Sequence, residues 1–136
     1  MLDAVFAWPA WVSDRWGPRV ASTWASLARR RSTPAPMLAP IAEVLGADGH
    51  ALSFVGVEPG RCYLAMVATS HGPPRGLRLT ASAAVRPSIE DSGAGADGAS
   101  VVFCSEDQDT ARIEIDAAPA ARWWVLSVWP LGRGAP

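Results

Sequence analysis

This 136-residue sequence contains two cysteines, which could form a disulfide bond with each other. Cys62 and Cys104 each lie in a short apolar stretch that is typical of a β-strand. In an oxidising compartment the simplest outcome is one disulfide between strands. In a reducing compartment they would be two buried thiols, and this alternative stays open. The flanking Tyr63 and Phe103 are a poor setting for a reactive thiolate, so no catalytic cysteine is expected.

The other groups that catalysis could use form no recognised pattern. His50 and His71 each stand beside a glycine, without a partner at the spacing that zinc sites use. Ser70 precedes His71, but no G-x-S-x-G nucleophile motif and no Walker A motif occurs. The sequence therefore predicts a protein that is not an enzyme and that carries no cofactor.

Acidic residues crowd two predicted loops. Asp91 and Asp97 flank a glycine-rich stretch, and a second group comprises Glu106, Asp107 and Asp109. Oxygen-rich loops at the end of a β-sandwich can bind Ca²⁺. No EF-hand spacing occurs, so solvated acidic loops are the favoured interpretation, with a Ca²⁺ site at Asp91 and Asp97 as the alternative. No other metal site is expected.

Seven tryptophans form two groups, one near each end of the chain. In the second group, strand alternation puts Trp123 and Trp129 on one face and Trp124 on the other. Trp123 and Trp129 would then form an aromatic platform for a sugar or a protein partner. Trp124 is expected in the core with Leu126 and Val128. The alternative is that all three tryptophans pack in the core or lie beneath an N-terminal helix.

The first group of tryptophans belongs to a segment with helical spacing. Four apolar residues recur at intervals of four, four and three and so share one helical face: Trp16, Val20, Trp24 and Leu27. We expect a short helical piece over residues 9–16 and a longer helix over 18–31, where Pro18 suits the first turn. Together with Trp8 and Trp11, these residues predict a tryptophan-rich helical arm.

Three surfaces could receive the apolar face of this arm. It could enter a groove on another protein, where tryptophan is an enriched anchor, and this interpretation is favoured. It could lie on an anionic membrane surface, because three arginines, Arg29–Arg31, stand at its end. It could also fold back onto the rest of its own chain.

Length and charge set the outer limits. A chain of this size accommodates one domain with a short appendage. Its net charge of −1 argues against a nucleic-acid partner, which normally requires a basic excess. Three prolines in residues 32–40 indicate an extended connector. We therefore divide the chain into a helical arm (1–31), a proline-rich linker (32–40) and a folded domain (41–136).

Beyond the linker the apolar period becomes that of strands. Strands are predicted over 41–45, 51–57, 61–69, 77–82, 101–104, 111–116 and 122–129, with a loop over 92–99. Asp48-Gly49 indicates a hairpin between the first two strands. The third strand is apolar on both faces, so we expect it to be central. The fold class is mainly β: an antiparallel, jelly-roll-like β-sandwich preceded by the helical arm.

Several short motifs carry a resemblance to a known family. They are Gly60-Arg61-Cys62-Tyr63, Leu77-Arg78-Leu79, Asp91 before the glycine-rich loop, Val101–Cys104, Ile113-Glu114-Ile115 and Trp124–Val128. In this order, residues 51–129 resemble small β-sandwich modules of myxobacterial secreted proteins and lipoproteins, which are similar to the bacterial pre-peptidase C-terminal domain. The resemblance implies a non-catalytic role in adhesion, ligand contact or solubility.

Together these observations predict a non-catalytic accessory or structural subunit. Its arm would dock onto protein subunits of a larger, membrane-associated assembly. The alternative is a module of a secreted protein that binds carbohydrate or Ca²⁺. An extracytoplasmic or membrane-associated location is favoured, although the first residues lack the charge and apolar run of a signal peptide.

Overall fold

The computed structural model describes residues 16–31, 40–47, 49–72, 77–83, 86–91, 97–117 and 123–131. Trp8, Trp11 and residues 32–39 of the predicted linker lie outside this part of the chain. The described residues form one helix, α1 (Pro18–Arg31), and eight strands. The strands are β1 (Ala42–Ala47), β2 (Gly49–Gly56), β3 (Cys62–His71), β4 (Leu77–Ser82), β5 (Ser88–Asp91), β6 (Gly98–Cys104), β7 (Thr110–Ala117) and β8 (Trp123–Pro130).

Helix α1 begins at the proline that the sequence indicates. Gly17 has a φ of 98°, a left-handed conformation that costs glycine little, and Pro18 occupies the first turn. The Ala21 N–H donates to the Gly17 carbonyl over 3.2 Å. The helix predicted over 18–31 is confirmed, whereas the piece expected over 9–16 lies outside the described residues except for Trp16. No helix in the described part has the length and apolar character needed to cross a bilayer.

The strands form two antiparallel sheets of four strands each. Sheet A has the order β1-β8-β3-β6, and sheet B has the order β2-β7-β4-β5. The first strand pairs with the last, the second with the seventh, the third with the sixth and the fourth with the fifth. This nested pairing is that of a jelly roll. The prediction of a mainly β, antiparallel sandwich is confirmed.

The hairpin predicted at Asp48-Gly49 is wrong. The chain does turn here, with a φ of 106° at Gly49, but β1 joins sheet A beside β8 and β2 joins sheet B beside β7. Val44 and Ala51 therefore pack against the same core from two different sheets. The predicted loop over 92–99 also ends early, because β6 begins at Gly98, and β5 was not predicted.

The main core lies between the two sheets. Alternate residues of β4 and β7 are buried, so the alternation predicted for these strands is confirmed. Tyr63 and Phe103 stack across β3 and β6 with their ring centroids 5.5 Å apart. Strand β3 lies between β8 and β6 and is buried on both faces over most of its length, which confirms its central position.

A third layer covers the outer face of sheet A, which is the face turned away from the main core. Helix α1 lies on this face and forms a second buried cluster with it. The cluster comprises Val20, Ala21, Trp24 and Leu27 of the helix with Cys62, Leu64, Met66, Ala68, Val125, Trp129 and Leu131. The molecule is therefore a helix packed on a two-sheet sandwich.

Gly46 lies against the indole ring of Trp124, and its missing side chain makes room for that ring. A Cβ at Gly46 would lie 2.3 Å from Cζ2 and 2.4 Å from Cη2 of Trp124. The same indole is buried and donates from Nε1 to the Ala47 carbonyl over 2.7 Å. We expect Gly46→Ala to lower the free energy of unfolding by about 2–3 kcal/mol, because the ring must move and weaken that bond.

Gly56 provides the matched control for this prediction. It is also a strand glycine, but a Cβ built there meets no atom within 4 Å. In urea unfolding Gly56→Ala should therefore lose no stability, and it should gain up to about 1 kcal/mol because the unfolded chain is more restricted. Equal losses for the two variants would show that crowding against Trp124 is not the cause of the loss at position 46.

Candidate binding site

The apolar face of helix α1, which is the described part of the predicted arm, is not available for docking. Val20, Trp24 and Leu27 are buried against the outer face of sheet A, so the third alternative, folding back onto the same chain, is the one that the structure shows. Trp16 is half-buried, with its Nε1 3.4 Å from the Glu43 carboxylate. The prediction of a protein or membrane groove for this helical face is therefore wrong, because sheet A already supplies the apolar surface.

The aromatic platform of Trp123 and Trp129 is also wrong. The two residues share the outer face of sheet A as predicted, but Trp129 is only 1% exposed. The edge of Trp24 packs against Trp129 with centroids 5.1 Å apart and an interplanar angle of 88°. The helix thus covers one half of the expected platform. Trp124 lies in the main core, as predicted.

Trp123 is the exposed tryptophan among those described, with 49% of its surface accessible. It opens β8, and its neighbours in sheet A are Ala47 of β1 and His71 of β3. Together with the half-exposed Leu45, Trp123 and His71 line a shallow recess of about 280 Å³. We name these three residues the Trp123 recess.

A β-bulge brings His71 to this recess. Pairing between β3 and β8 is regular as far as Thr69–Trp124, and then slips by one residue so that His71 faces Trp123. Without the slip, Ser70 would face Trp123 and His71 would point to the other side of the sheet. The Ser70 hydroxyl lies 3.1 Å from Nδ1 of His71. Ser70 thus bonds to Nδ1, and Nε2 is the ring nitrogen that can form a hydrogen bond with a ligand.

The recess combines apolar surface with one polar group. Leu45 and the Trp123 ring offer apolar surface, and His71 adds one polar group beside them. None of the three lining side chains is a carboxylate, and His71 has no carboxylate partner among the described residues. An apolar surface with one orienting polar group fixes how a small molecule lies against the protein.

The acidic residues proposed for Ca²⁺ are held by arginines instead. Asp97 accepts two hydrogen bonds from Arg19, at 2.8 Å and 3.0 Å, and its carboxylate raises the pKa of that guanidinium. Asp91 pairs with Arg78 at 2.9 Å. Throughout the described ranges, no three His, Cys, Asp or Glu side chains come together as a metal site requires. The structure does not support the Ca²⁺ interpretation of these two residues.

The disulfide prediction is confirmed. Cys62 and Cys104 are directly opposite in the ladder between β3 and β6 and are bonded to each other. Cys62 belongs to the cluster beneath α1, whereas Cys104 is exposed. The bond therefore fastens the edge strand β6 to the strand on which the helix packs.

The second histidine lies on the opposite side of the molecule from the recess. His50 contacts Glu114 on the outer face of sheet B, and this hydrogen bond lowers the pKa of the Glu114 carboxyl. The outer faces of the two sheets point in opposite directions. His50 and His71 consequently cannot act together on one small substrate.

Comparisons with known proteins give likenesses of fold only. No family model matches the chain, and no curated protein matches it. Among solved structures, a CBM4 carbohydrate-binding module shares 12% identity and a TM-score of 0.41, and each chain is covered over 60% of its length. A CBM61 module in complex with β-1,4-galactotriose shares 12% identity and a TM-score of 0.41. The match covers 68% of this chain and 70% of that module.

A family GH115 4-O-methyl-α-glucuronidase, with specificity for decorated arabinogalactans, is a third neighbour. It shares 10% identity and a TM-score of 0.42, covering 66% of this chain. This chain spans 14% of the glucuronidase and 60% of the CBM4 module. At these identities and TM-scores, we draw no functional conclusion from the three likenesses.

Proposed function

We propose that this chain is a non-catalytic ligand-binding module whose Trp123 recess takes one ring of a carbohydrate. The observation that carries the proposal is the exposed indole of Trp123 at the end of sheet A. The other tryptophans of β8 and α1, Trp24, Trp124 and Trp129, are buried. An indole offers a large flat apolar face beside a polar N–H, a combination that is enriched at binding surfaces.

A pyranose ring has the chemistry that this surface would complement. One of its faces carries only C–H groups and can lie flat on an indole, while its hydroxyls project around the edge. Leu45 extends the apolar floor beside Trp123, and Nε2 of His71 is a hydrogen-bonding group for one hydroxyl. The recess is slightly smaller than the roughly 300–1,000 Å³ of pockets for drug-sized molecules, so it suits one ring.

The test is titration of the full chain with three neutral sugars: β-1,4-galactotriose, cellohexaose and xylohexaose. Calorimetry gives the dissociation constant, and tryptophan fluorescence reports whether an indole is covered. We expect at least one of the sugars to bind with a dissociation constant in the millimolar range or lower. Trp123→Ala should weaken that binding at least about tenfold, which corresponds to about 1.4 kcal/mol.

Two further variants make the titration specific. Trp123→Phe keeps a flat ring and should retain most of the affinity. Ile89→Ala removes a side chain of similar exposure on the outer face of sheet B and should leave the dissociation constant unchanged. Unchanged binding by Trp123→Ala, or no saturable signal with any of the three sugars, would reject the proposal.

A further inference from the structure

Strand β2 is an edge strand of sheet B, and natural β-sandwiches normally protect such strands against pairing with another chain. Among the described strands it pairs only with β7, and its eight residues pair with β7 without a bulge. It contains no proline, lysine, arginine, aspartate or glutamate. The other edge of sheet B, β5, is four residues long and carries Glu90 and Asp91. Short length and charge are known protections against edge pairing, and β2 has neither.

The free hydrogen-bonding groups of β2 can be assigned from its ladder. Beyond the last strand residue, the Val57 N–H donates to the Asp109 carbonyl over 2.9 Å, in register with the β2–β7 pairing. Odd-numbered residues therefore bond to β7, and the N–H and C=O groups of even-numbered residues point away from it. Leu52 and Phe54 belong to the second set.

The same two residues carry exposed apolar side chains. Phe54 is 67% exposed and Leu52 is also exposed, both on the outer face of sheet B. On the neighbouring strand, Phe54 stands beside Arg112 and Leu52 stands beside Glu114. The edge thus combines unpaired backbone groups with a short apolar row that is flanked by one positive and one negative residue.

We propose that this edge binds a second copy of the chain, with β2 pairing antiparallel to β2 around a twofold axis at Ser53. In this register Phe54 faces the partner's Leu52, and the two copies form one continuous eight-stranded sheet from two sheets of four strands. Two rows of side chains, related by the axis, then cross the interface. Each row runs from Arg112 and Phe54 of one copy to the partner's Leu52 and the partner's Glu114. Each row therefore has opposite charges at its two ends.

The neighbouring registers are less favourable. An axis at Phe54 would place Arg112 of both copies in one row, and an axis at Leu52 would do the same for Glu114. An axis between two residues would oppose side chains on different faces of the sheet, which antiparallel pairing does not allow. Of the axes at Leu52, Ser53 and Phe54, the one at Ser53 gives each row opposite charges at its two ends. This self-complementarity favours a second copy over an unrelated protein.

Sedimentation equilibrium of the full, disulfide-bonded chain tests the dimer. We expect the mass to rise with concentration from 14.3 kDa towards twice that value. Leu52→Lys combined with Phe54→Lys should raise the dimer dissociation constant about 100-fold or more, since like charges would then face the edge. Both positions are exposed, so the variant should stay folded, which circular dichroism verifies.

Ile89→Lys is the matched control. Ile89 is 57% exposed on the same face of sheet B but stands on β5, the opposite edge. It should leave the dissociation constant unchanged. A monomeric wild type at every concentration, undiminished association of the double variant, or equal weakening by Ile89→Lys would overturn the proposal.

Cysteine scanning tests the register itself. In the proposed dimer Ser53 faces the partner's Ser53 in a pair whose Cα atoms lie about 4.5 Å apart, within disulfide range. Oxidised glutathione should therefore convert Ser53→Cys to a covalent dimer on a non-reducing gel. Ala51→Cys would face the partner's Val55 and should remain uncrosslinked. Equal crosslinking of the two variants, or none in Ser53→Cys, would overturn this register.

Discussion

Trp24→Ala should lower the free energy of unfolding by about 3–5 kcal/mol. Trp24 is fully buried, packs edge-on against Trp129 and is the largest side chain that α1 contributes to the cluster on sheet A. Its removal leaves a cavity that neighbouring side chains held by a β-sheet cannot fill. Domains of this kind are stable by about 5–15 kcal/mol, so the variant would lose a large share of the total.

Urea unfolding followed by tryptophan fluorescence measures this loss. Ser22→Ala is the matched control, because Ser22 is exposed on the same helix and should change the stability by less than about 0.5 kcal/mol. A loss below about 1 kcal/mol for Trp24→Ala would show that the sandwich does not depend on the helix. In that case the helix would be an appendage after all, as the original arm hypothesis held.

The error in the arm hypothesis has a physical origin. Helical spacing correctly identified the buried face, including Val20, Trp24 and Leu27, but an amphipathic helix specifies only that an apolar surface must cover it. It does not specify whose surface that is. A signal was nevertheless present in the sequence, because β3 is apolar on both faces. One face of β3 meets the main core, so the other face also needed a cover.

Strand positions could be predicted better than strand partners. The alternation of Ile113 and Ile115 with charged residues is local, and the structure confirms it in β7. Pairing of the first strand with the last depends on contacts across nearly the whole domain, which no local pattern encodes. The turn at Gly49 was therefore recognised, while its neighbours were assigned to one sheet instead of two.

The candidate site was predictable only in part. Alternation placed Trp123 and Trp129 on one face correctly, but the extent of the helix on that face determines that Trp129 is covered and Trp123 is not. His71 reaches the recess only because of the bulge after Thr69. One inserted residue in a ladder has no signature in the sequence, since Ser70 is compatible with a regular strand as well.

Removing the disulfide should produce the second large loss of stability. On the chain-entropy model, a bond closing a separation of 42 residues contributes about 4 kcal/mol, mostly by restricting the unfolded chain. We expect the variant Cys62→Ala with Cys104→Ala to lose about 3–4 kcal/mol in urea unfolding. Wild type reduced with dithiothreitol is the control, because it breaks the bond but keeps both sulfur atoms in place.

A double-mutant cycle with Trp24→Ala separates two explanations for that loss. If the bond acts through the unfolded chain, breaking it and truncating Trp24 should be additive within about 0.5 kcal/mol. Cys62 lies in the cluster beneath α1, so the bond could instead act by holding β3 beneath the helix. The combined variant would then lose less than the sum of the two separate losses, by about 1 kcal/mol or more. Because β3 and β6 are already paired along their whole register, we expect additivity, and a clear overlap would contradict the entropic account.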